Sequence, residues 1–159
     1  MRTMQQWFDE YGESHLNPTN KLIHWICVPL IFLTVVGLLS LVKIPGIENS
    51  NSGVGPYIHL GTVILLLGLL FYLRLSFKIM LGMLLISSLV LYILKLVNLS
   101  FLENAWMVYF IIFVLAWIGQ FIGHHIEGKK PSFLKDLQFL LIGPGWLLSH
   151  CYQKIGLNY

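Results

Sequence analysis

Charge is scarce in this chain of 159 residues: charged side chains make up 11% and hydrophobic ones 57%. A soluble domain carries roughly a quarter charged residues. Too few polar side chains remain here to cover a globule in water, which excludes a soluble globular protein and a disordered chain. Cysteine is scarce too. Cys27 and Cys151 lie in or beside apolar runs, and two thiols make no disulfide framework. They read as small buried hydrophobes. A cleavable leader is not expected, because residues 1–20 hold Asp9, Glu10 and Glu13 and no apolar stretch. The CxxC, HExxH, GxSxG, P-loop and dinucleotide-binding patterns are all missing, so the chemistries they carry have no footing. The net charge of +3 gathers into no basic patch, so nucleic acid is not an expected partner.

Long apolar runs are what the chain has in abundance. They cover about residues 22–42, 56–73, 79–94 and 105–123, and mean hydropathy is +0.76. A helix needs about 20 residues to cross a bilayer core, and backbone in lipid must satisfy its own hydrogen bonds. The expected fold is therefore all-α: an integral membrane bundle of four transmembrane helices. The second and third runs are short and tightly linked through Leu75-Ser76-Phe77, as in a helical hairpin. A fifth apolar segment, 137–149, is interrupted by Gly143-Pro144-Gly145. It is expected as an interfacial, re-entrant or fifth spanning helix. With four spans both termini share one side, and that side holds Arg2, Lys21, Arg74, Lys78, Lys129, Lys130, Lys135 and Lys154. The other side holds Lys43 and Lys95. This asymmetry predicts cytoplasmic termini, in a bacterial inner membrane or the endoplasmic reticulum. Residues 47–55 form a polar turn on the far side. With no internal repeat and no linker, residues 1–159 read as one membrane domain.

Polar residues inside such a chain are costly and therefore informative. His15 precedes the first span, His24 lies in its first turns, and His124 and His125 end the fourth, all on one side of the membrane. His59 begins the second span, in the opposite leaflet. Asn17-Pro18 is a helix start, with Asn as cap and Pro in the first turn. Asn20 and His24 share a face. Pro29 is expected to disturb the helix near Trp25. Trp117, Gln120, His124 and Glu127 form one stripe on the fourth helix, so His125, about 100° away, points elsewhere. Gly119 and Gly123 make a GxxxG pattern that suits close helix packing. Packing the polar faces together brings Asn20 and His24 toward Gln120, His124 and Glu127. Imidazoles with a carboxylate suit iron, zinc, copper or nickel. His150 is a fourth candidate ligand: a fold-back at the glycine–proline break would bring it to the cluster, and a continuous span would carry it away.

The segment Tyr11-Gly12-Glu13-Ser14-His15-Leu16-Asn17-Pro18-Thr19-Asn20, with Ile23-His24 and Val28-Pro29, resembles the opening signature of a family of small membrane proteins. Its best-known members are fungal endoplasmic-reticulum dioxygenases of 2-hydroxy fatty acids, acting in phytosphingosine breakdown. Trp117-Ile118-Gly119-Gln120-Phe121-Ile122-Gly123-His124, then Glu127, Pro131, Asp136-Leu137 and Gly143-Pro144, is similar to its second signature. One departure is that His124 and Glu127 stand one residue closer than in the fungal form. The resemblance implies an Fe(2+)-dependent dioxygenase that uses O₂ to shorten a 2-hydroxy fatty acid by one carbon, with release of CO₂. It carries the metal-binding histidines onto His15, His24 and His124 and the acidic residue onto Glu127. Gln120, Asn20 and Tyr11 then suit head-group or outer-shell roles. Two other classes stay open: a bis-histidine haem protein using His24 and His124, and a non-catalytic membrane scaffold or lipid-binding protein. Homo-oligomerisation is also open.

Overall fold

A computed structural model describes residues 2–44, 57–128 and 139–159. The polar turn expected at 47–55 lies outside the described residues, as do Lys129, Lys130, Lys135, Pro131, Asp136 and Leu137. Among the described residues the architecture is all-α, with no strand and a single isolated bridge between Lys43 and His59.

Helix α1, Met4–Gly12, starts at a capping box. The Thr3 side chain accepts from the Gln6 amide, and the Gln6 side chain accepts from the Thr3 amide. Helix α2, Pro18–Ser40, begins as its sequence demands: the Asn17 side chain accepts from Thr19 and Asn20, and Pro18 occupies the first turn. The helix runs on through Pro29. Helix α3, Leu60–Leu75, is capped by His59, whose Nδ1 accepts from the Thr62 amide at 3.1 Å. Ser76 alone separates α3 from α4, Phe77–Phe101, and caps the latter through Ile79. Helix α4 is longer than its uncharged core of 79–94, because Lys78 and Lys95 both fall inside it. A single 3₁₀ turn, Leu102–Asn104, leads into α5, Ala105–Ile126. Leu102 takes φ 45° at this corner, a left-handed conformation unfavourable for a side chain with a Cβ. The corner folds α5 back along α4, and the Tyr109 hydroxyl donates to Asn98 at 2.9 Å. Helix α6 is Ile142–Lys154.

Two continuous stretches are long and apolar enough to cross a membrane: Pro18–Ser40 and Phe77–Ile126, the second comprising α4 and α5. Their outward faces carry a dense array of exposed leucine, isoleucine and phenylalanine, among them Leu22, Leu85, Leu89, Leu115 and Ile122. Such a surface suits lipid rather than water.

Helices α2 and α5 pack antiparallel along a seam of glycines. A Cβ on Gly123 would lie 2.4 Å from Asn20 Oδ1, one on Gly119 2.6 Å from Cys27 Sγ, and one on Gly37 2.6 Å from the Tyr109 ring. The GxxxG pattern therefore does what its residues predict: without side chains the two backbones approach closely.

The Gly143-Pro144-Gly145 triplet does not break the fifth apolar segment. It lies in the first turn of α6, where proline removes no helical hydrogen bond. Its glycines serve contact instead. A Cβ on Gly143 would meet Val28 at 3.1 Å and the Tyr11 hydroxyl at 3.2 Å, and one on Gly145 would meet the Tyr72 ring at 3.0 Å. The Tyr72 hydroxyl donates to the Leu141 carbonyl just before the helix. Ile142, Trp146 and Leu147 are buried in the main core, with Met4, Phe8, Tyr11, Val28 and Tyr72. The first half of α6 is thus packed into the protein, between α1, α2, α3 and α4.

Candidate metal centre

Three elements meet at one end of the α2–α5 pair. The turn after α1 supplies His15, α2 supplies His24 and α5 supplies His124. All three are buried, at 2%, 1% and 4% exposure. Each offers a ring nitrogen, and these three atoms all lie within 4.8 Å of one another. Ring centroids are 4.2 Å apart for His15 and His24, 5.0 Å for His24 and His124, and 5.7 Å for His15 and His124.

Backbone carbonyls fix the tautomers. His15 Nδ1 lies 2.6 Å from the Tyr11 carbonyl and His24 Nδ1 lies 3.0 Å from the Asn20 carbonyl, each one helical turn back. A carbonyl only accepts, so both Nδ1 atoms carry hydrogen, and in the neutral imidazole it is then Nε2 that carries the lone pair. This is the arrangement that metal-ligating histidines use, with one nitrogen donated to the backbone and the other offered to the ion. The buried, nitrogen-rich donor set fits a transition metal ion.

Asn20 and Glu127 stand beside the histidines and bind protein. The Glu127 carboxylate accepts from the Leu16 amide at 2.8 Å, the Asn17 amide at 2.9 Å and Asn20 Nδ2 at 3.0 Å. Asn20 Nδ2 also donates to the Ser14 carbonyl at 3.0 Å. The end of α5 is thereby tied to the turn that carries His15 and to the start of α2. Burial pushes the Glu127 pKa up. The hydrogen bonds from Asn17, Asn20 and Leu16, and last the charge of His15 when protonated, outweigh it and hold the carboxyl below its ordinary range.

Gln120 and Trp117 continue the stripe inward and are buried, whereas His125 is exposed. A small crevice borders the cluster here, lined by Tyr11, Val28, Ile31, Trp117, Gln120 and Gly143 among others. Tyr11 stacks on His15, centroids 4.3 Å apart. His150 lies on α6 and is half-buried, with Nδ1 2.9 Å from the Trp146 carbonyl. It is not a member of the three-histidine group. Trp146 touches both sides: its ring centroid is 5.4 Å from His15 and 4.2 Å from His150. Sequence reasoning passed over Trp146, since one tryptophan in an apolar run carries no sign of its neighbours.

Fold and site define a helical protein with a broad exposed apolar surface and a buried three-histidine cluster at one end of its main helix pair. The profile of the 2-hydroxy-palmitic acid dioxygenase Mpo1-like family matches residues 1–155, and the chain belongs to that family. It is similar to the 2-hydroxy-palmitic acid dioxygenase MPO1 of Saccharomyces cerevisiae, at 31% identity over 150 residues, covering 92% of this chain and 78% of that protein. No solved structure matches.

Proposed function

We propose that the protein is an Fe(2+)-dependent dioxygenase that shortens 2-hydroxy fatty acids by one carbon. The observation that carries this reading is the buried cluster of His15, His24 and His124 in a chain of this family. These three would hold the iron, which when bound supplies Lewis acidity and one-electron chemistry toward O₂.

The chain's own residues supply position and environment. Backbone carbonyls hold two of the imidazoles in the tautomer that offers Nε2 inward. Glu127 and Asn20 act on the histidines by fixing the turn that carries His15, and stand as outer-shell residues. The small crevice beside the cluster carries the Gln120 amide and the Tyr11 hydroxyl, groups able to hydrogen-bond a carboxylate or hydroxyl. Burial of the cluster keeps bulk water from the reacting atoms. A haem held between His24 and His124 is disfavoured, because the His15 ring packs against both.

We read the chain as a single membrane domain crossing four times, with α2, α3, α4 and α5 as spans and both termini in the cytoplasm. The folding of α4 against α5 and the distribution of the ten basic residues support it. Cysteines placed at positions 52 and 76 should label from opposite sides.

The deciding experiment is metal analysis of anaerobically purified protein, paired with an O₂-dependent assay on 2-hydroxypalmitate. Bound non-haem iron with CO₂ release is expected. A Soret band would replace this reading with the haem protein, and no stoichiometric metal would replace it with the scaffold.

A further inference from the structure

A second cavity, of ≈ 360 Å³, lies between α2, α4 and α6. Its lining includes Trp25 and Leu33 of α2, Val90 of α4, and Pro144, Leu147 and Cys151 of α6; apart from Cys151 every lining residue is apolar. The volume falls within the range of small-molecule sites, about 300–1,000 Å³. Along α2 the cavity runs from Trp25 to Leu33, two turns or about 12 Å at the rise of a helix. Its shape is that of a slot parallel to the helices.

A charge stands beside one end of the slot, next to its lining residue Trp25. Lys154 places Nζ 5.9 Å from the centre of the Trp25 ring, and Cys151 lines the wall one turn before it. Among the described residues no hydrogen bond or ion pair engages the Lys154 ammonium, and its contact is the Trp25 ring. Adjacent residues on a helix point about 100° apart. His24 thus turns to α5 and the metal cluster while Trp25 turns to α4, α6 and the slot.

We propose that this slot binds a single free fatty acid, its chain between α2, α4 and α6 and its carboxylate at Lys154. The slot is open along one side, but its volume of ≈ 360 Å³ suits one chain rather than two, and one ammonium matches one carboxylate. The site is separate from the histidine cluster and does not depend on the metal reading.

The two cysteines make the test direct, since Cys151 is exposed and Cys27 is buried. Maleimide alkylation of Cys151 is followed in protein reconstituted in discs of dioleoylphosphatidylcholine. Palmitate is expected to slow alkylation severalfold, and hexadecanol to slow it less. Lys154→Glu, a surface change, should remove the advantage of palmitate over hexadecanol. Val90→Trp, which fills the slot, should remove protection by both. His24→Ala should leave protection intact, which separates failure of this proposal from failure of the metal reading. Unprotected Cys151 in palmitate, equal protection when phosphatidylglycerol replaces palmitate, or protection lost in His24→Ala would each overturn the proposal.

Discussion

At the far end of the α2–α5 pair, the Tyr109 hydroxyl donates to Asn98 at 2.9 Å, Asn98 donates to Ser40 at 3.4 Å, and Ser40 donates to the Gly37 carbonyl at 2.6 Å. Every hydroxyl and amide in that run ends on an acceptor within the protein. At the near end the same two helices bury His24 and His124, with His15 packed on both. There the backbone anchors of His15 and His24 use Nδ1, and Nε2 is the other nitrogen that each ring can offer to the cluster. A closed polar network needs nothing from outside and fixes the register of two helices. Three buried imidazoles whose ring nitrogens converge within 4.8 Å make a donor set that could hold a metal ion. Similar burial at the two ends of one helix pair thus closes a polar network at one end and gathers a donor set that could hold a metal at the other.

The largest effect that could break this contrast is on metal content. His24→Ala and His124→Ala should each abolish metal binding while the protein still inserts, because insertion depends on the apolar helices. Asn98→Ala should keep its metal and lose about 1–3 kcal/mol of stability as buried partners are left unsatisfied. His59→Ala should also keep its metal, losing only the cap of α3, about 1 kcal/mol. Elemental analysis and thermal unfolding of the purified variants check both halves. Full metal occupancy in His124→Ala would remove the distinction between the two ends.

The glycine seam sharpens the same contrast. Alanine at Gly37 meets the Tyr109 ring at 2.6 Å, and alanine at Gly123 meets Asn20 Oδ1 at 2.4 Å. Both should lower stability by about 1–3 kcal/mol through overpacking. Only Gly123→Ala should also weaken metal binding, since Asn20 stands in the carboxylate network beside the histidines. Calorimetric titration of a divalent metal into each variant reads the difference. Equal metal affinity in the two would mean that the near end tolerates a shift of its helices.

Glu127 comes next in size. Glu127→Ala should weaken metal binding by about 10–100-fold, as loss of an outer-shell partner does, and leave a weak site where His24→Ala leaves none. The carboxyl is held below its ordinary range in the folded protein, so the unfolded chain binds its proton more readily. Its contribution is therefore complete above the ordinary glutamate pKa of about 4.3 and is lost as pH falls through the depressed folded value. A stability-against-pH curve for the natural protein should turn down there, and the curve for Glu127→Ala should lack that part of the fall.

Much of this was legible in the residues and some was not. Asn17-Pro18 announces the start of α2, Ser76 the break between α3 and α4, and the paired glycines the close approach of α2 and α5, because caps and small-residue contacts are local or periodic. The convergence of His15 and His24 on His124 followed from depth in the membrane. The partners of Glu127 were hidden, since Leu16 and Asn17 receive it through backbone amides that carry no side-chain signature. Helix α1 went unread: its apolar face is Met4, Phe8 and Tyr11, three residues among polar neighbours. The triplet Gly143-Pro144-Gly145 read as a break because glycine and proline usually punctuate. In the fold it opens α6 and admits Tyr11 and Tyr72.

The smallest expected effect tests the phase on which the near end rests. His124 and His125 are neighbours, so their side chains differ by about 100° around α5. His124 shares a stripe with Trp117 and Gln120, both buried, and is 4% exposed, while His125 is exposed. The ring of His124 lies 5.0 Å from that of His24, and no rotamer brings His125 to that place without turning the helix. Turning it would carry Gly119 and Gly123 out of the seam, where Cys27 and Asn20 leave no room for a side chain. His125→Ala should therefore change stability by less than about 0.5 kcal/mol, as surface substitutions do, with metal content and activity retained. An inactive His125→Ala protein beside an active His124→Ala protein would show that α5 is turned the other way, and with it the pairing of α2 and α5 that builds the cluster.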